Sequence, residues 1–494
     1  MRKKILSDIF QYSSSQFLSQ FVGFFTAVFL RSFLGPVYMG VWSMLKVIIE
    51  YANMSNLGTI STVTYKWPIL KGQSQDDEAE NLKNIVFNFV TFTIFICSLG
   101  VLIYALTFKQ TLSKEIFIGL ISISILLMAQ RIYTYYLLLL RVNKDFTILS
   151  KSIIFDAIAH LSLVILIVSR FKLYGLFFVA VSMPILNVLF IRRYVTFDLK
   201  YSFNLKGIKP YIRYGFPLFI SGVLHLVLHN IDRIMIVKIL GVEQLGFYSI
   251  ALMAKNYGMG MSTNLGMVIQ PYYLGGVGKK DITEPVKSAL GYAQISAYFM
   301  SIILSLVFIA APTFVAYVLP GFVPGISALK IFLLTIFFLS ILTYLNNLLV
   351  ISERRVWIMW IMFAAILVNV VCNLWFINIG WGINGVAFST AISAFLAFSV
   401  TSICALMHFE NLFNIVKFFV KVMFPLFYCV FILKVLETFA ISQNLILEVI
   451  IRTLLFILFI CPLVLYLNKK TRIVNTILEV LFEKVTNFKN RRKN

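Results

Sequence analysis

Long apolar runs separated by short polar segments fill the sequence almost from end to end. The runs are continuous, and each is long enough to cross about 30 Å of hydrocarbon at a helical rise of about 1.5 Å per residue. This pattern predicts helices and argues against a membrane β-barrel, whose strands alternate apolar and polar positions. We count about 14 spans, near residues 10–31, 40–63, 85–107, 116–140, 151–169, 175–191, 214–238, 246–268, 289–311, 326–350, 357–377, 383–406, 418–437 and 445–467.

Two passages at turns between spans resemble each other. Residues 34–43 read LGPVYMGVWS and residues 240–249 read LGVEQLGFYS, an offset of about 206 positions. A weaker match at a similar offset pairs residues 174–182 with residues 384–393. A chain built twice from one membrane unit can form a cavity between two similar lobes and open it alternately to either side. The repeat therefore predicts a transporter.

The composition indicates that lipid is the solvent for most of the apolar surface. Hydrophobic residues make up 60% of the chain and charged residues 13%, against roughly half and a quarter in soluble domains. The net charge of +23 does not indicate nucleic-acid binding, because Lys and Arg gather in alternate loops. One set of loops holds about thirty of them and the other about six, which predicts a multi-pass protein of the cell membrane with both termini cytoplasmic.

These patterns divide the chain into five predicted parts. They are an amino-terminal six-helix lobe, a basic cytoplasmic linker, a second six-helix lobe, two additional transmembrane helices and a basic cytoplasmic tail, at residues 1–195, 196–213, 214–406, 407–467 and 468–494. The linker mixes basic and aromatic residues, as expected of a segment on anionic headgroups. The first apolar run is expected to be kept as a span, because no small-residue cleavage site follows it.

Charged side chains inside the predicted spans are the candidate functional residues, since each costs roughly 2.5–3.5 kcal/mol at the centre of a membrane helix. Lys46 and Glu50 lie one turn apart on the second span, and Arg131 and Lys255 lie on the fourth and the eighth. The seventh span adds four more, His225, His229, Asp232 and Arg233. Both lobes thus carry a lysine at a similar depth, for which a water-filled cavity between the lobes is the simplest destination.

Structural explanations stay open for most of these residues. Lys46 and Glu50 can neutralise each other, the two histidines can be hydrogen-bonded packing residues, and Asp232 with Arg233 can anchor its helix at the membrane interface. No acidic residue accompanies the arginine of the fourth span or the lysine of the eighth on its own helix. A surplus of cations in a cavity implies an anionic cargo.

Other chemistry is not indicated. No nucleophile with its base and no carboxylate cluster with metal-ligand spacing occurs, so we expect neither an enzyme nor a cofactor or metal site. The five cysteines fall inside apolar runs without a CxxC pair, so inert buried thiols are expected.

Four stretches resemble polysaccharide flippases of the Wzx type. Residues 214–233 (YGFPLFISGVLHLVLHNIDR) and 240–251 (LGVEQLGFYSIA) are similar to the seventh and eighth helices of that family. Residues 31–42 (RSFLGPVYMGVW) look like its first two helices, and residues 382–387 (GINGVA) look like its twelfth. The same motifs are found across the superfamily that includes MATE drug exporters and the lipid II flippase MurJ.

The resemblance implies a fold of two six-helix lobes around a central cavity, followed by two extra helices. It also implies a cargo of undecaprenyl-diphosphate-linked oligosaccharide that moves from the inner to the outer leaflet. The central cationic residues of the family are carried over to Lys46, Arg131 and Lys255.

The sequence therefore predicts an all-α, MATE-like integral membrane protein that flips a lipid-linked oligosaccharide by alternating access. Its product would be a surface polysaccharide, whether O-antigen, capsule, exopolysaccharide or a teichoic-type chain. Membrane lipids are further expected partners, and coupling to H+ or Na+ stays open. The expected substrate contacts are Lys46, Arg131, Lys255, Glu50, His225, His229, Asp232 and Arg233.

Two alternatives remain at this stage. An ion-coupled MATE-type exporter of cationic drugs would use Glu50, Asp156 or Asp232 as proton-linked acids, and an acidic cavity would favour it. A membrane polysaccharide polymerase or ligase should carry a large outer loop with catalytic residues, whereas the longest predicted outer loop, residues 312–325, contains no charge.

Overall fold

The computed structural model describes residues 2–195, 199, 207–277, 283–351, 354–407, 411–438 and 444–471. Fourteen α-helices account for most of this described part, and no strand occurs in it. They are α1 (Arg2–Asn53), α2 (Thr59–Gly72), α3 (Asp76–Thr107), α4 (Lys114–Val142), α5 (Phe146–Leu163), α6 (Ser169–Arg192), α7 (Lys209–Met235), α8 (Val242–Val277), α9 (Thr283–Val318), α10 (Ile326–Ile351), α11 (Arg355–Asn378), α12 (Gly382–Leu406), α13 (Leu412–Thr438) and α14 (Leu445–Thr471). The predicted linker and tail lie largely outside the described residues.

The described residues contain ten segments that are long and apolar enough to cross a membrane. Two of them, Gln11–Asn56 and Phe146–Arg192, have 46 and 47 residues, about twice what a bilayer needs. Each is interrupted, by Gly35 at φ 69° and by Lys172 at φ 50°, so we count each as two crossings. Counting these two segments twice gives twelve crossings. Helices α7 and α8, which carry most of the candidate residues, bring the total to fourteen, in agreement with the predicted count.

The second span is broken once more near its end. α1 ends at Asn53, a short 3-10 turn covers Met54–Asn56, and Leu57 and Gly58 take left-handed dihedral angles before α2 begins. The Asn56 side chain accepts a hydrogen bond from the Gly58 amide at 2.8 Å. This bond fixes the turn and leaves carbonyl groups at the end of α1 in need of other donors.

The helices form two packed groups. Helices α1–α6 contact one another, as do α7–α12, whereas α13 and α14 pack on α9. We call the first group the N-lobe and the second the C-lobe. Many large apolar side chains are exposed on the outside of the bundle, as expected of a surface in lipid. All five cysteines are unpaired; Cys429 is buried but Cys461 is exposed, so the expected burial of the thiols is wrong for Cys461.

The repeated sequence brings the lobes together at one face. A Cβ atom added to Gly40 would overlap the carbonyl oxygen of Val242, and one added to Gly246 would overlap that of Pro36. The repeat relates Gly40 to Gly246 and Pro36 to Val242, so the same contact is made twice about a pseudo-twofold axis. Glycine is required here because it alone lets two backbones approach so closely. We call this arrangement the paired glycine contact.

The lobes also touch towards the opposite face. Gly58 and Gly215 pack backbone to backbone, and the Thr62 hydroxyl donates a hydrogen bond to the Tyr211 carbonyl oxygen at 2.8 Å. At the level of the charged residues, two positions from Lys255, the Tyr257 ring of α8 lies edge-on to Phe24 of α1 at a centroid distance of 5.4 Å. We call the surface where α1 of the N-lobe meets α7 and α8 of the C-lobe the seam. Its charged residues lie between the level of the paired glycine contact and the level of Gly58.

Candidate functional site

An ion pair crosses the seam between the lobes. Glu50 of α1 accepts hydrogen bonds from Arg233 Nη1 at 3.0 Å and from Asn230 Nδ2 at 2.6 Å, both on α7. The Glu50 side chain is 36% exposed and that of Arg233 is 13% exposed. Glu50 is thus neutralised by the opposite lobe, and the alternative in which it forms an ion pair with Lys46 of its own helix is wrong for this structure.

Lys46 projects into space inside the bundle. Its side chain is exposed to solvent, although Glu50, Arg31 and Arg233 are all close enough to act on its charge. The ammonium group lies 5.5 Å from the centroid of the Trp42 ring. None of the carboxylates in the described part of the chain is within ion-pair distance of it. A charged group that is surrounded by protein charges and still accessible indicates a hollow between the lobes.

Lys255 lies on the C-lobe side of the seam. It contacts His229, which in turn contacts His225. Its ammonium lies 2.8 Å from His229 Nδ1, and the His229 and His225 rings meet edge to face at 4.0 Å. An ammonium group only donates, so Nδ1 of His229 accepts and the proton of a neutral His229 resides on Nε2. His225 is exposed. Among the described residues, Lys255 also has no carboxylate at ion-pair distance.

Asp232 lies apart from this space, inside the C-lobe. It is 4% exposed and accepts hydrogen bonds from Tyr248 Oη at 3.3 Å, Asn373 Nδ2 at 3.0 Å and Thr390 Oγ1 at 2.6 Å. These donors come from α8, α11 and α12, and all three are neutral. The interpretation of Asp232 as an anchor at the membrane interface is therefore wrong, and in this conformation the side chain does not face the seam.

Arg131 is buried as well. It is 2% exposed, and its Nη2 donates to the Asn53 carbonyl oxygen at 3.0 Å, where α1 ends. The same oxygen accepts from Asn56 Nδ2 at 2.7 Å, so the guanidinium is the second donor to a carbonyl group that the turn at the end of α1 leaves without a helical partner. A cavity-facing cation was expected at this position; the structure instead gives Arg131 a contact that holds two segments of the N-lobe together.

Two residues of the seam were not among the predicted contacts. Arg31, 7% exposed, donates from Nη2 to the Ser249 carbonyl oxygen of the C-lobe at 2.8 Å. Its position just before the repeated turn is the signal that could have placed it near the seam. Asn230, which is fully buried, was quoted only for its family motif. Its spacing of three residues from Arg233 puts both on one face of α7.

The balance of charge on the seam is positive. Glu50 is occupied by Arg233, and Asp232 is turned away. Lys46 and Lys255 remain without carboxylate partners among the described residues, one contributed by each lobe. The arrangement suits an anion that can accept hydrogen bonds from both sides.

Comparisons with known proteins agree with this architecture. The model of a family described as "Polysaccharide biosynthesis protein" matches residues 5–273. None of the curated proteins compared with the chain matches it.

Solved structures share the fold. The lipid II flippase MurJ, in an inward closed conformation, superposes with a TM-score of 0.67 at 14% identity over 92% of this chain and 99% of MurJ. An inward-facing multidrug resistance MATE transporter gives 0.62 at 16% identity over 80% and 94%. A MOP superfamily transporter from Pyrococcus furiosus, described as having a binding pocket of reverse polarity, gives 0.59 at 16% identity over 81% and 95%.

At these identities the structural matches establish a membrane fold common to MurJ and the MATE transporters. The family model covers more than half of the sequence, including the repeat and every residue of the seam named above. The chain belongs to the polysaccharide biosynthesis protein family.

Proposed function

We propose that the protein is a flippase that carries an undecaprenyl-diphosphate-linked oligosaccharide from the inner to the outer leaflet of the cytoplasmic membrane by alternating access. Its family and its MurJ-like fold support this class of activity. The observation that carries the proposal is that each lobe places one lysine, Lys46 or Lys255, close enough to Glu50 and Arg233 for their charges to interact, and that neither lysine has a carboxylate at ion-pair distance among the described residues.

The two lysines suit a diphosphate. Each ammonium group has three donors, and charge-assisted hydrogen bonds to phosphate are about twice as strong as neutral ones. The exposed side chains of His225 and Asn256 offer polar contacts to the sugars, while the prenyl chain stays in lipid. An inside-negative potential then favours outward movement, since each charge gains about 2.3 kcal/mol per 100 mV.

Binding of such a cargo would act directly on the ion pair that joins the two lobes. A phosphate that approaches Lys46 and Lys255 also comes within reach of Arg233, whose present partner is Glu50. If the phosphate takes over Arg233, the ion pair between the lobes is lost, and the Asn230–Glu50 hydrogen bond, the paired glycine contact and Arg31 remain to hold that face closed. Occupancy by the anion therefore favours opening.

Coupling to an ion fits the surroundings of Asp232. Neutral groups donate its hydrogen bonds, and Lys255 acts on its charge only from beyond ion-pair distance, so the buried carboxylate is further stabilised when a proton or a cation joins it. Oxygen atoms of Asn369 and Thr390 lie beside it in the same hydrogen-bonded network, and such oxygens suit Na+ as well as a proton donor. We propose Asp232 as the coupling site rather than a cargo contact.

A MATE-type exporter of cationic drugs is less well supported. It needs acids that a cation can reach, but Glu50 is paired with Arg233, and Asp156 accepts from Asn187 Nδ2 at 2.5 Å. Lys46 and Lys255 would repel a cationic drug.

The test is translocation in proteoliposomes. A fluorescent lipid-diphosphate oligosaccharide would be scored by the fraction that a membrane-impermeant quencher can reach, beside the same glycolipid without phosphates. The proposal expects transport of the diphosphate form, its loss in K46A/K255A, and normal rates in K114A, which removes an exposed lysine at the start of α4. Equal rates for the double variant and the native chain would refute it, and transport of a cationic dye alone would favour the exporter.

A further inference from the structure

A second group of charged residues lies where α10, α13 and α14 meet, away from the inter-lobe seam. Its members, which we call the α13 cluster, are Lys330, Lys434, Glu437, Glu448 and Arg452. The proposed function makes no use of them. Charged side chains in apolar helices are costly and mark functional positions more often than chance.

The α13 cluster is only partly neutralised. Arg452 Nη2 and Glu448 Oε1 form an ion pair at 2.6 Å within α14. Lys330 Nζ is 3.8 Å from Glu437, beyond the 2.7–2.9 Å of a charge-assisted hydrogen bond, and lies 4.3 Å from the centroid of the Phe308 ring. Within the described residues, Lys434 has no carboxylate at ion-pair distance. Two ammonium groups therefore flank a single carboxylate.

These ammonium groups lie at one end of an apolar cavity, which we call the apolar channel. A cavity of about 290 Å³ lies between α9, α10 and α13, and its wall follows α13 from Leu426 to Glu437, about 16 Å of helix. Apart from the cluster and two serines, its lining is hydrophobic, with residues such as Leu304, Leu334 and Leu433. A smaller cavity of about 130 Å³ adjoins it and reaches Arg452. The two cavities together form an apolar channel with positively charged side chains at one end, which we call its cationic head.

The cationic head of the apolar channel lies on the same side of the membrane as the Gly35 turn. Gly321, just before α10, packs towards Pro36, and Lys330 follows within the first turns of α10. The ends of α13 and the beginning of α14 lie at the same level, because they line the same cavities as Lys330. The cationic head thus lies near one membrane surface and the apolar channel runs towards the bilayer centre.

The geometry points to a binding site for an anionic phospholipid. Its phosphate is held between Lys330 and Lys434 and one acyl chain lies along α13. Three cations against two carboxylates give the cluster a net positive charge, and basic pockets between transmembrane helices bind acidic headgroups. The site is separate from the seam, so it does not depend on the proposed transport activity.

Lipid binding to the full-length protein tests this site. Native mass spectrometry would compare phosphatidylglycerol with phosphatidylcholine of the same chains. We expect preferential binding of phosphatidylglycerol and a loss of about tenfold or more in K330A/K434A, the effect of removing two charge-assisted hydrogen bonds. K417A changes an exposed lysine at the other end of α13 and should bind normally. Glycerol phosphate without acyl chains should not displace the lipid, because the apolar channel contributes to its affinity.

A second variant decides the question if K330A/K434A does not fold. E437Q removes the carboxylate that competes for Lys330 and whose negative charge stands one helical turn from Lys434, so it should raise the affinity for phosphatidylglycerol by several-fold. Unchanged binding in E437Q, or equal binding of the two lipids by the native chain, would overturn the proposal. Displacement by glycerol phosphate would also overturn it, since it would indicate a site for free phosphate.

Discussion

Glu50 of the N-lobe is joined to Arg233 of the C-lobe at 3.0 Å, and both residues are close enough to act on the charges of Lys46 and Lys255. Partly exposed ion pairs contribute little to stability, typically about 0–1 kcal/mol. Their removal can nevertheless change the balance between two conformations, because such equilibria are separated by only a few kcal/mol. The pair is therefore better suited to control opening than to hold the fold together.

Removing the charge of Glu50 should favour separation of the lobes at the Gly35 face. Spin labels at V37C and I239C, two exposed positions near the turns, would report the distance by electron–electron resonance after replacement of the native cysteines. E50Q and R233Q should both increase the long-distance population. The charge exchange E50R/R233E should restore the native distribution in part. E448Q, which breaks an ion pair of the same kind in α14, serves as the control and should leave the distances unchanged.

Lys46→Ala and Lys255→Ala should each lower transport of the diphosphate-linked lipid by about 10- to 100-fold, the equivalent of the roughly 1.5–3 kcal/mol of a hydrogen bond to a charged group. The melting temperature should not fall, because neither lysine has a carboxylate partner to lose among the described residues. Lys46→Arg keeps the charge and should retain most of the transport. Loss of activity together with loss of stability would indicate a structural role instead.

Arg131→Ala should behave in the opposite way. The substitution removes one of the two side-chain donors of the Asn53 carbonyl group, leaving Asn56 Nδ2 as the other, and opens a cavity between α1 and α4, so we expect a destabilisation of about 2–4 kcal/mol. Thermal unfolding of the purified protein should show a lower melting temperature, and Arg131→Lys should recover part of it. A normal melting temperature with abolished transport would return Arg131 to the substrate-binding residues.

Alanine at Gly40 or Gly246 should disturb the closed contact between the lobes. The added methyl group meets a backbone carbonyl oxygen, and forced overpacking costs about 1–3 kcal/mol. Each variant should populate the open state, as measured with the same spin labels. Gly100→Ala in α3 is the matched control, since nothing lies within 4 Å of its added atom. An unchanged distance distribution in G40A would show that the contact does not close this face.

Asp232→Asn should uncouple transport from ions. The neutral amide keeps one oxygen to accept from Asn373 Nδ2, and its NH2 can donate to the hydroxyl oxygen of Thr390, whose own O–H can donate to the Val386 carbonyl oxygen, so the fold should tolerate it. Transport driven by a Na+ or proton gradient in proteoliposomes should lose its dependence on that gradient, whereas Asp156→Asn should not change it. Persistent ion dependence in D232N would exclude Asp232 as the coupling residue.

Periodicity and composition predicted the helices, their approximate number and the two-lobe organisation. The repeat pointed to Gly40 and Gly246 as equivalent positions, and depth placed Lys46 and Lys255 at one level. The partners of Arg131, Glu50 and Asp232 could not be predicted in this way. Hydropathy defines where a helix lies along the membrane normal, but the direction of a single side chain depends on how the helix is rotated against its neighbours.

The turn in the chain at Asn53 shows the same limit. No Pro or Gly stands at the residue where α1 stops, and of the two side-chain donors to its last carbonyl group one is local, Asn56, whereas the other is Arg131 on α4, a distant part of the sequence. A charged residue in an apolar run predicts that its charge has a binding partner. The sequence alone does not show whether that partner is a ligand or a backbone carbonyl group.

Because the paired glycine contact is made twice by equivalent residues, a single rotation of one lobe about the axis between them loosens both halves at the same moment. We therefore expect the seal at this face to open in one step, without a stable half-open form through which small ions could leak. The sequence repeat would then account for the barrier as well as for the second lobe.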